Sequence, residues 1–295
     1  METKQIPSDI FRGIENLQPL ITVIVAVRNV KDSLQRCIDS VAGQSYANKE
    51  LIIIDGASVD GTVDILRANQ SAFSYWITEA DRGIYHAWNK GLSHARGDWI
   101  CFIGGDDYFI DDHVLERLVP YLQSVPLNIQ VAYGQLMMVN RHGDPLYILG
   151  EPWEQAGPNF RNFMSIPHVG AMHRRTLFSK RGVFDESFQI SGDYELLLRE
   201  LKSGEAYFAP MVLVAMQHGG ISDSPANAFL KLREFRRAHR LHGQSFPRKS
   251  WLIEVIRVCA RLLLWRLIGD RMARRLLDVR RRMIGEVPYW VKSRS

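Results

Sequence analysis

Apolar residues fall in short blocks along the first half of the chain, and the blocks are of two kinds. Residues 20–27 (LITVIVAV) and 50–55 (ELIIID) are brief and β-branched, and 73–78, 98–103 and 129–133 are similar. Runs of that length predict strands buried on both faces. Between them, 31–43, 60–69, 84–96 and 111–123 place apolar residues three and four apart, as at Leu34, Cys37, Ile38 and Val41. That period predicts helices. Strand–helix alternation with short connections predicts a mostly parallel sheet covered by helices.

The pattern loosens further on. Residues 136–149 predict a hairpin turning at 141–144, and 150–167 read as loop because Pro152, Gly157, Pro158 and Pro167 interrupt them. Residues 191–203 predict a helix and 206–217 an extended segment; from 225 to the end the pattern is helical. Trp88 and Trp99 fall at core positions.

Ligands of open α/β sheets bind beyond the carboxyl ends of the strands. Here those ends carry Arg28 and Asn29; Asp55, Gly56 and Ser58; Glu79 and Asp81; and Gly104-Gly105-Asp106-Asp107. A carboxylate pair at a strand end suits a hard divalent cation, Mg²⁺ or Mn²⁺, with positions left for phosphate oxygens. The same residues also suit a turn that caps the next helix, for which Asp111 and Asp112 are better placed. Asp55 is a candidate for a nucleobase or ribose contact, or equally for a βα turn, while Asp60 suits a helix cap. No G-x-G-x-x-G follows the first strand, which disfavours dinucleotide binding.

Four segments occur in order at these strand ends and helix starts: VIVAVRN, IIIDGASVDGT, EADRGIYHAWNKGLSHARGDWICFIGGDD and ISGDYELLLREL. Together they resemble glycosyltransferase family 2, over about residues 20–222. The resemblance implies a GT-A fold and inverting transfer of a sugar from a nucleotide-diphosphate sugar, with a UDP-sugar as the default donor. It implies that Val27, Asn29, Asp55, Ser58, Asp81, Asn89 and Asp106 face the donor. Asp106 with Asp107 would hold the metal, and Asp193 would be the general base. His168 would lie near the acceptor. His218, followed by Gly219 and Gly220, is a candidate for meeting phosphate. Some positions depart from the family pattern: Gly56 follows Asp55, Gly104 opens the metal motif, His86 stands where aspartate is common, and Gly192 precedes Asp193. The rival readings are a non-catalytic nucleotide-sugar-binding protein and a nucleotidyltransferase.

Charge adds a second theme. Residues 231–295 hold 18 Lys and Arg against 5 Asp and Glu, whereas 1–230 hold 19 against 27. In 249–268 and 270–284 the arginines flank apolar stripes, Leu252, Ile256 and Leu263 in the first and Met272, Leu276, Val279 and Met283 in the second. Such helices suit an anionic membrane surface, or a packed helix pair; no motif supports nucleic acid. Three scattered cysteines argue against a disulfide framework and predict small buried hydrophobes in a reducing compartment. No stretch reads as a signal peptide or a membrane span.

The expected organisation is therefore an N-terminal arm (1–19), a catalytic domain (20–222, with a nucleotide-sugar half 20–135 and an acceptor half 136–222) and a basic amphipathic helical tail (223–295). The expected place is cytoplasmic, peripheral at the inner face of a membrane, with a glycan or lipid-linked acceptor.

Overall fold

A computed structural model describes residues 18–220, 227–244 and 248–294. The expected arm lies outside these residues except for 18 and 19, as does the join at 222/223. Four strands form the parallel part of the sheet: β1 (Ile21–Val27), β2 (Lys49–Asp55), β3 (Tyr75–Thr78) and β4 (Trp99–Gly104). β2 and β4 flank β1, and β3 pairs with β2. The rest is mixed: β5 (Tyr108–Phe109), β6 (Val131–Val139), β7 (Pro145–Leu149), β8 (Met172–Arg174) and β9 (Tyr207–Gln217). The order across the sheet is β3-β2-β1-β4-β8-β6-β9-β5, with β7 on β6.

The helices are α1 (Lys31–Ala42), α2 (Thr62–Ala68), α3 (Ile84–His94), α4 (Val114–Ser124), α5 (Trp153–Phe160), α6 (Arg175–Arg181), α7 (Gly192–Leu201), α8 (Ala228–Leu241) and α9 (Arg248–Met283). The two-residue period of the strands sorts their side chains onto two cores. Val23, Val25 and Ile53 meet α1 and α4 through Leu34, Ile38, Leu115 and Leu118. Ile24, Ile52 and Ile54 face Tyr85, Trp88, Leu196, Leu197 and Phe235 on the other side. The expected α/β class with a basic helical extension is what the chain adopts.

Several elements differ from the expectation. Strand β6 runs on through residues read as separate pieces. Helix α5 forms in the segment read as loop: Pro152 stands at its N-cap and Pro158 sits inside it. Its prolines and glycine argue locally for a loop, yet buried Ala156 and Phe160 supply a packing face. β5, β8 and α6 are too short to carry a period.

The basic tail is two unlike things. Helix α8 belongs to the α/β body: Leu232, Glu234, Phe235, Ala238 and His239 are buried, and the Glu234 carboxylate accepts the backbone N–H groups of Gln189, Ile190 and Ser191. Helix α9 touches α8 and buries only a few residues, Val258 and Ala273 among them. It breaks at Gly269 (φ 72°, ψ 167°), so it is two helices end to end. Its apolar stripes are largely uncovered, with Leu267 71% and Met283 82% exposed. Cys259 is exposed too, so only Cys37 and Cys101 are the buried thiols expected. Among the described residues no helix is long and apolar enough to cross a membrane.

After α9 the chain does not stay helical as expected but folds back, with only a short 3-10 turn at Lys292–Arg294. Asp278 accepts the N–H groups of Tyr289, Trp290 and Val291. Tyr289 then packs against Tyr147 of β7, ring centroids 4.4 Å apart.

Candidate active site

The sheet's parallel half ends in a polar edge whose groups are mostly engaged with one another. Asn29 follows β1 at φ 53° and Ala57 follows β2 at φ 56°, the described non-glycine residues with positive φ. Two such residues in adjacent strand-end turns mark a constrained edge. Asn29 donates its N–H to Ser58 Oγ (2.7 Å) and accepts from the Val59 N–H. Asp55 is fully buried and accepts from the Ser58 N–H and hydroxyl and from the Thr78 hydroxyl. Asp60 accepts the Thr62 N–H and hydroxyl and so holds the turn into α2, but it is not the expected cap: the N-cap position is Gly61, one residue on. Val27 is buried, and its carbonyl accepts the Gly56 N–H.

Asp81 also sits at this edge, 3.4 Å from where a Cβ on Gly56 would stand. Lys90 Nζ lies 2.7 Å from its carboxylate and His86 Nδ1 2.8 Å. His86, an aspartate position in the family pattern, thus partners a neighbouring acid. Asn89 is used at both ends: its amide nitrogen donates to the Phe184 carbonyl and to Glu186, and its oxygen accepts the Phe184 N–H. That ties α3 to the loop before α7.

Asp106 and Asp107 turn back over the end of β4. Oxygens of both would lie 2.9 and 3.0 Å from a Cβ placed on Gly104. A side chain there would have to displace the pair, which gives the glycine a reason independent of metal ligation. Asp107 is buried, and burial followed by its neighbour Asp106 pushes its pKa up to about 7. Burial likewise raises Asp106, while Arg36 opposes the shift. Two converging, desolvated carboxylates with raised pKa values form a place where a cation is favourable. Two protein carboxylates leave most of a Mg²⁺ or Mn²⁺ shell to phosphate and water, so the donor set fits such an ion. No cluster of three or more His, Cys, Asp or Glu side chains suited to a metal occurs among the described residues.

Asp193 opens α7, where the helix dipole favours a carboxylate. The Tyr194 N–H donates to it at 2.8 Å and the Tyr85 hydroxyl at 3.3 Å. Gly192 makes room for that tyrosine: a Cβ there would stand 2.8 Å from the Tyr85 ring. Burial raises the pKa of Asp193, opposed by the Tyr194 N–H and by the charge of Lys231.

Asp193 faces a cavity of about 520 Å³ together with Lys231, Ser191 and His168. His168 is buried with both ring nitrogens unpartnered within the chain, and burial drives its pKa down to about 3. His218 lies elsewhere: its ring packs beside Tyr289 and Trp290, at 5.7 and 6.1 Å between centroids. Strand β9 links cavity and carboxylate pair. Met216 lines the cavity and the next residue, Gln217, donates its N–H to Asp107.

Tyr85, Ser191 and Lys231 join the site without having been singled out in the sequence. Tyr85 and Ser191 look there like ordinary helix-start residues. Lys231 lies in a run of tail charges whose fold onto α7 no local pattern shows.

The likeness to known proteins agrees with this layout. The family model Glycosyl transferase family 2 matches residues 22–186. An uncharacterized glycosyltransferase of Mycobacterium tuberculosis is 31% identical over 75% of this chain and 85% of its own length. A PGL/p-HBAD biosynthesis glycosyltransferase of Mycobacterium bovis is 26% identical over 70% of this chain and 80% of its own. Among solved structures, the mannosyltransferase PcManGT from Pyrobaculum calidifontis, in complex with GDP-Man and Mn²⁺, superposes with a TM-score of 0.59 at 17% identity, covering 95% of this chain and 84% of that one. S. aureus TarS 1–349 with UDP-GlcNAc gives 0.58 at 16% identity over 74% of this chain and 66% of that fragment. This chain spans only 39% of the longer TarS chain. Ordered strand-end motifs, shared architecture and sequence relatives thus converge: the chain belongs to glycosyl transferase family 2 and is a glycosyltransferase built around a nucleotide-sugar fold.

Proposed function

We propose that the chain transfers one sugar, with inversion, from a nucleoside-diphosphate sugar to an acceptor hydroxyl, with Asp193 as general base. The observation that carries this reading is the setting of Asp193, a desolvated carboxylate at a helix start, facing a cavity large enough for an acceptor. Burial raises its proton affinity, which suits a base working near neutral pH. The acceptor oxygen attacks the anomeric carbon as its proton passes to Asp193. The bond from that carbon to the diphosphate oxygen breaks, and the electron pair leaves with the nucleoside diphosphate. A single displacement inverts the centre and needs no enzyme nucleophile.

Val27, Asn29, Ser58, Asp81 and Asn89 would form or support the nucleotide end, with Asp55 holding the turn in shape from beneath. Asp106 and Asp107 would hold Mg²⁺ or Mn²⁺, and a divalent ion there supplies Lewis-acid stabilisation of the diphosphate charge. The Mn²⁺ and GDP-Man of PcManGT and the UDP-GlcNAc of TarS support such a donor; a UDP-sugar is the default.

The acceptor is a lipid-linked glycan met at an anionic membrane surface on the cytoplasmic side. The uncovered apolar stripes and arginines of α9 support this. Two like-charged arms would repel each other, which favours a lipid surface over a second copy.

Asp193→Asn should abolish transfer while sparing donor binding, read as nucleoside diphosphate release and donor thermal shift over a donor panel with Mn²⁺. Full transfer by that variant would falsify the base assignment. Flotation with anionic liposomes should be lost on removing residues 248–295, a cut that keeps α8; unchanged flotation would overturn the membrane role.

A further inference from the structure

The cavity beside Asp193 is lined by two unlike sets of residues. Ser191 and His168 join Asp193 in one set, the His168 ring resting against Trp88 and Phe102. The Ser191 hydroxyl and both imidazole nitrogens of His168 are buried with no hydrogen-bonding partner in the chain, and the two residues are only 2% and 6% exposed. Buried polar groups without partners are costly and uncommon in folded proteins, so a ligand bearing several hydroxyls is what this set of residues is fitted to receive. A neutral imidazole offers one donor and one acceptor to such a ligand.

The other set is different in kind and includes Met138, Met164, Met216 and Ile148. Methionine side chains present an adaptable apolar surface that moulds to irregular hydrocarbon. These side chains offer nothing to a hydroxyl, and a bare oligosaccharide laid along them would lose its hydration without return. Ile148 lies at the rim and is 54% exposed. Charge speaks against an anionic group in this space, because Glu151 and Asp193 both line the cavity and Lys231 alone among the lining residues carries a positive charge.

We propose that the cavity takes the acceptor as an amphiphile: a sugar or polyol ring with its hydroxyls on Asp193, His168 and Ser191, joined directly to an apolar aglycone. The aglycone lies along Met138, Met164 and Met216 and leaves past Ile148. This rests on Asp193 being the base, and it narrows the acceptor from any lipid-linked glycan to one whose apolar part is next to the accepting ring. The apolar wall also continues outward. Tyr289, held by Asp278 of α9, packs on the cluster of Leu136, Met138 and Leu146. The exit at Ile148 therefore opens beside the clip that carries the apolar arm.

The test uses the full chain and a panel of hexosides, each as a methyl and an octyl glycoside below its micelle concentration, with binding measured by calorimetry. For at least one hexose the octyl member should bind at least about tenfold more tightly than the methyl member, as expected when several methylenes are buried. Ile148→Asp and Met164→Gln are placed at a rim and at a half-buried site, so that folding is retained. Each should remove most of the octyl advantage and leave methyl glycoside binding nearly unchanged. No octyl advantage in any pair overturns the proposal. So does an advantage that survives both variants, since the octyl chain would then sit elsewhere, as on α9. Transfer to acceptors with no octyl preference removes this inference alone and leaves the base assignment standing. Octyl binding that obeys the variants, with no transfer from any donor, removes the glycosyl-transfer reading and the acceptor assignment with it.

Discussion

The proposed donor edge and the proposed acceptor cavity handle their polar groups in opposite ways. At the edge, Asp55 accepts from three donors of Ser58 and Thr78, Asp81 is met by Lys90 and His86, and Asn89 is used at both ends. At the cavity, Ser191 Oγ and both nitrogens of His168 have no partner in the chain. A site for a highly charged diphosphate benefits from groups fixed before the ligand arrives, because reorganisation is then small. A cavity whose polar atoms wait for a ligand gains selectivity instead: a molecule that lacks the hydroxyls leaves those atoms unpaired.

The contrast can be broken by substitution, taken here from the largest effect to the smallest. Asp55→Ala removes the buried charged acceptor of three hydrogen bonds from Ser58 and Thr78 and should lower stability by about 3 kcal/mol, read by urea unfolding; a change below about 1 kcal/mol would show that the edge is not held as described. Gly192→Ala places a methyl against the Tyr85 ring and should cost roughly 1–3 kcal/mol. It should also lower transfer by shifting the hydroxyl that donates to Asp193, checked by pairing unfolding curves with kcat. Wild-type behaviour in both would remove the steric account of that glycine.

Lys231→Met acts on titration. Burial already raises the pKa of Asp193 and the lysine charge opposes it, so losing the charge raises that pKa further. Less Asp193 is then ionised at a given acidic pH, and the acid limb of kcat/KM moves to higher pH. Rates near neutrality should be less affected, and Lys231→Arg should restore the wild-type limb. An unmoved limb would separate the lysine from the base. The smallest effect belongs to Ser191→Ala. It deletes a hydroxyl that has no partner, so stability should stay within about 0.5 kcal/mol of wild type while acceptor KM rises. A stability loss approaching that of Asp55→Ala would erase the difference between the two regions.

The parallel half of the sheet was legible because its strands are buried on both faces and their helices keep a clean period; β1, β2 and β4 lie within a residue of their expected bounds. The acceptor half was less so. Helix α5 is carried by tertiary packing of Phe160 and Ala156 against proline and glycine signals that argue locally for a loop. Among site residues, the order of motifs pointed to Asp106, Asp107 and Asp193. It could not show that Gly104 leaves room for two carboxylates or that Gly192 leaves room for Tyr85, since both reasons lie in residues brought near by folding. Nor does charge counting separate α8 from α9. Both are basic and amphipathic, and only packing shows that one completes the site and the other extends from it.

The return of the chain after α9 has a mechanical consequence. One carboxylate, Asp278, gathers three successive amides, and the tyrosine so held rests on β7 while Lys292 reaches the Pro145 carbonyl. Tension on the arm is therefore delivered to the hairpin that walls the cavity. A pull strong enough to free the arm must first strip the aromatic pair from that wall, so arm and cavity yield as one mechanical unit.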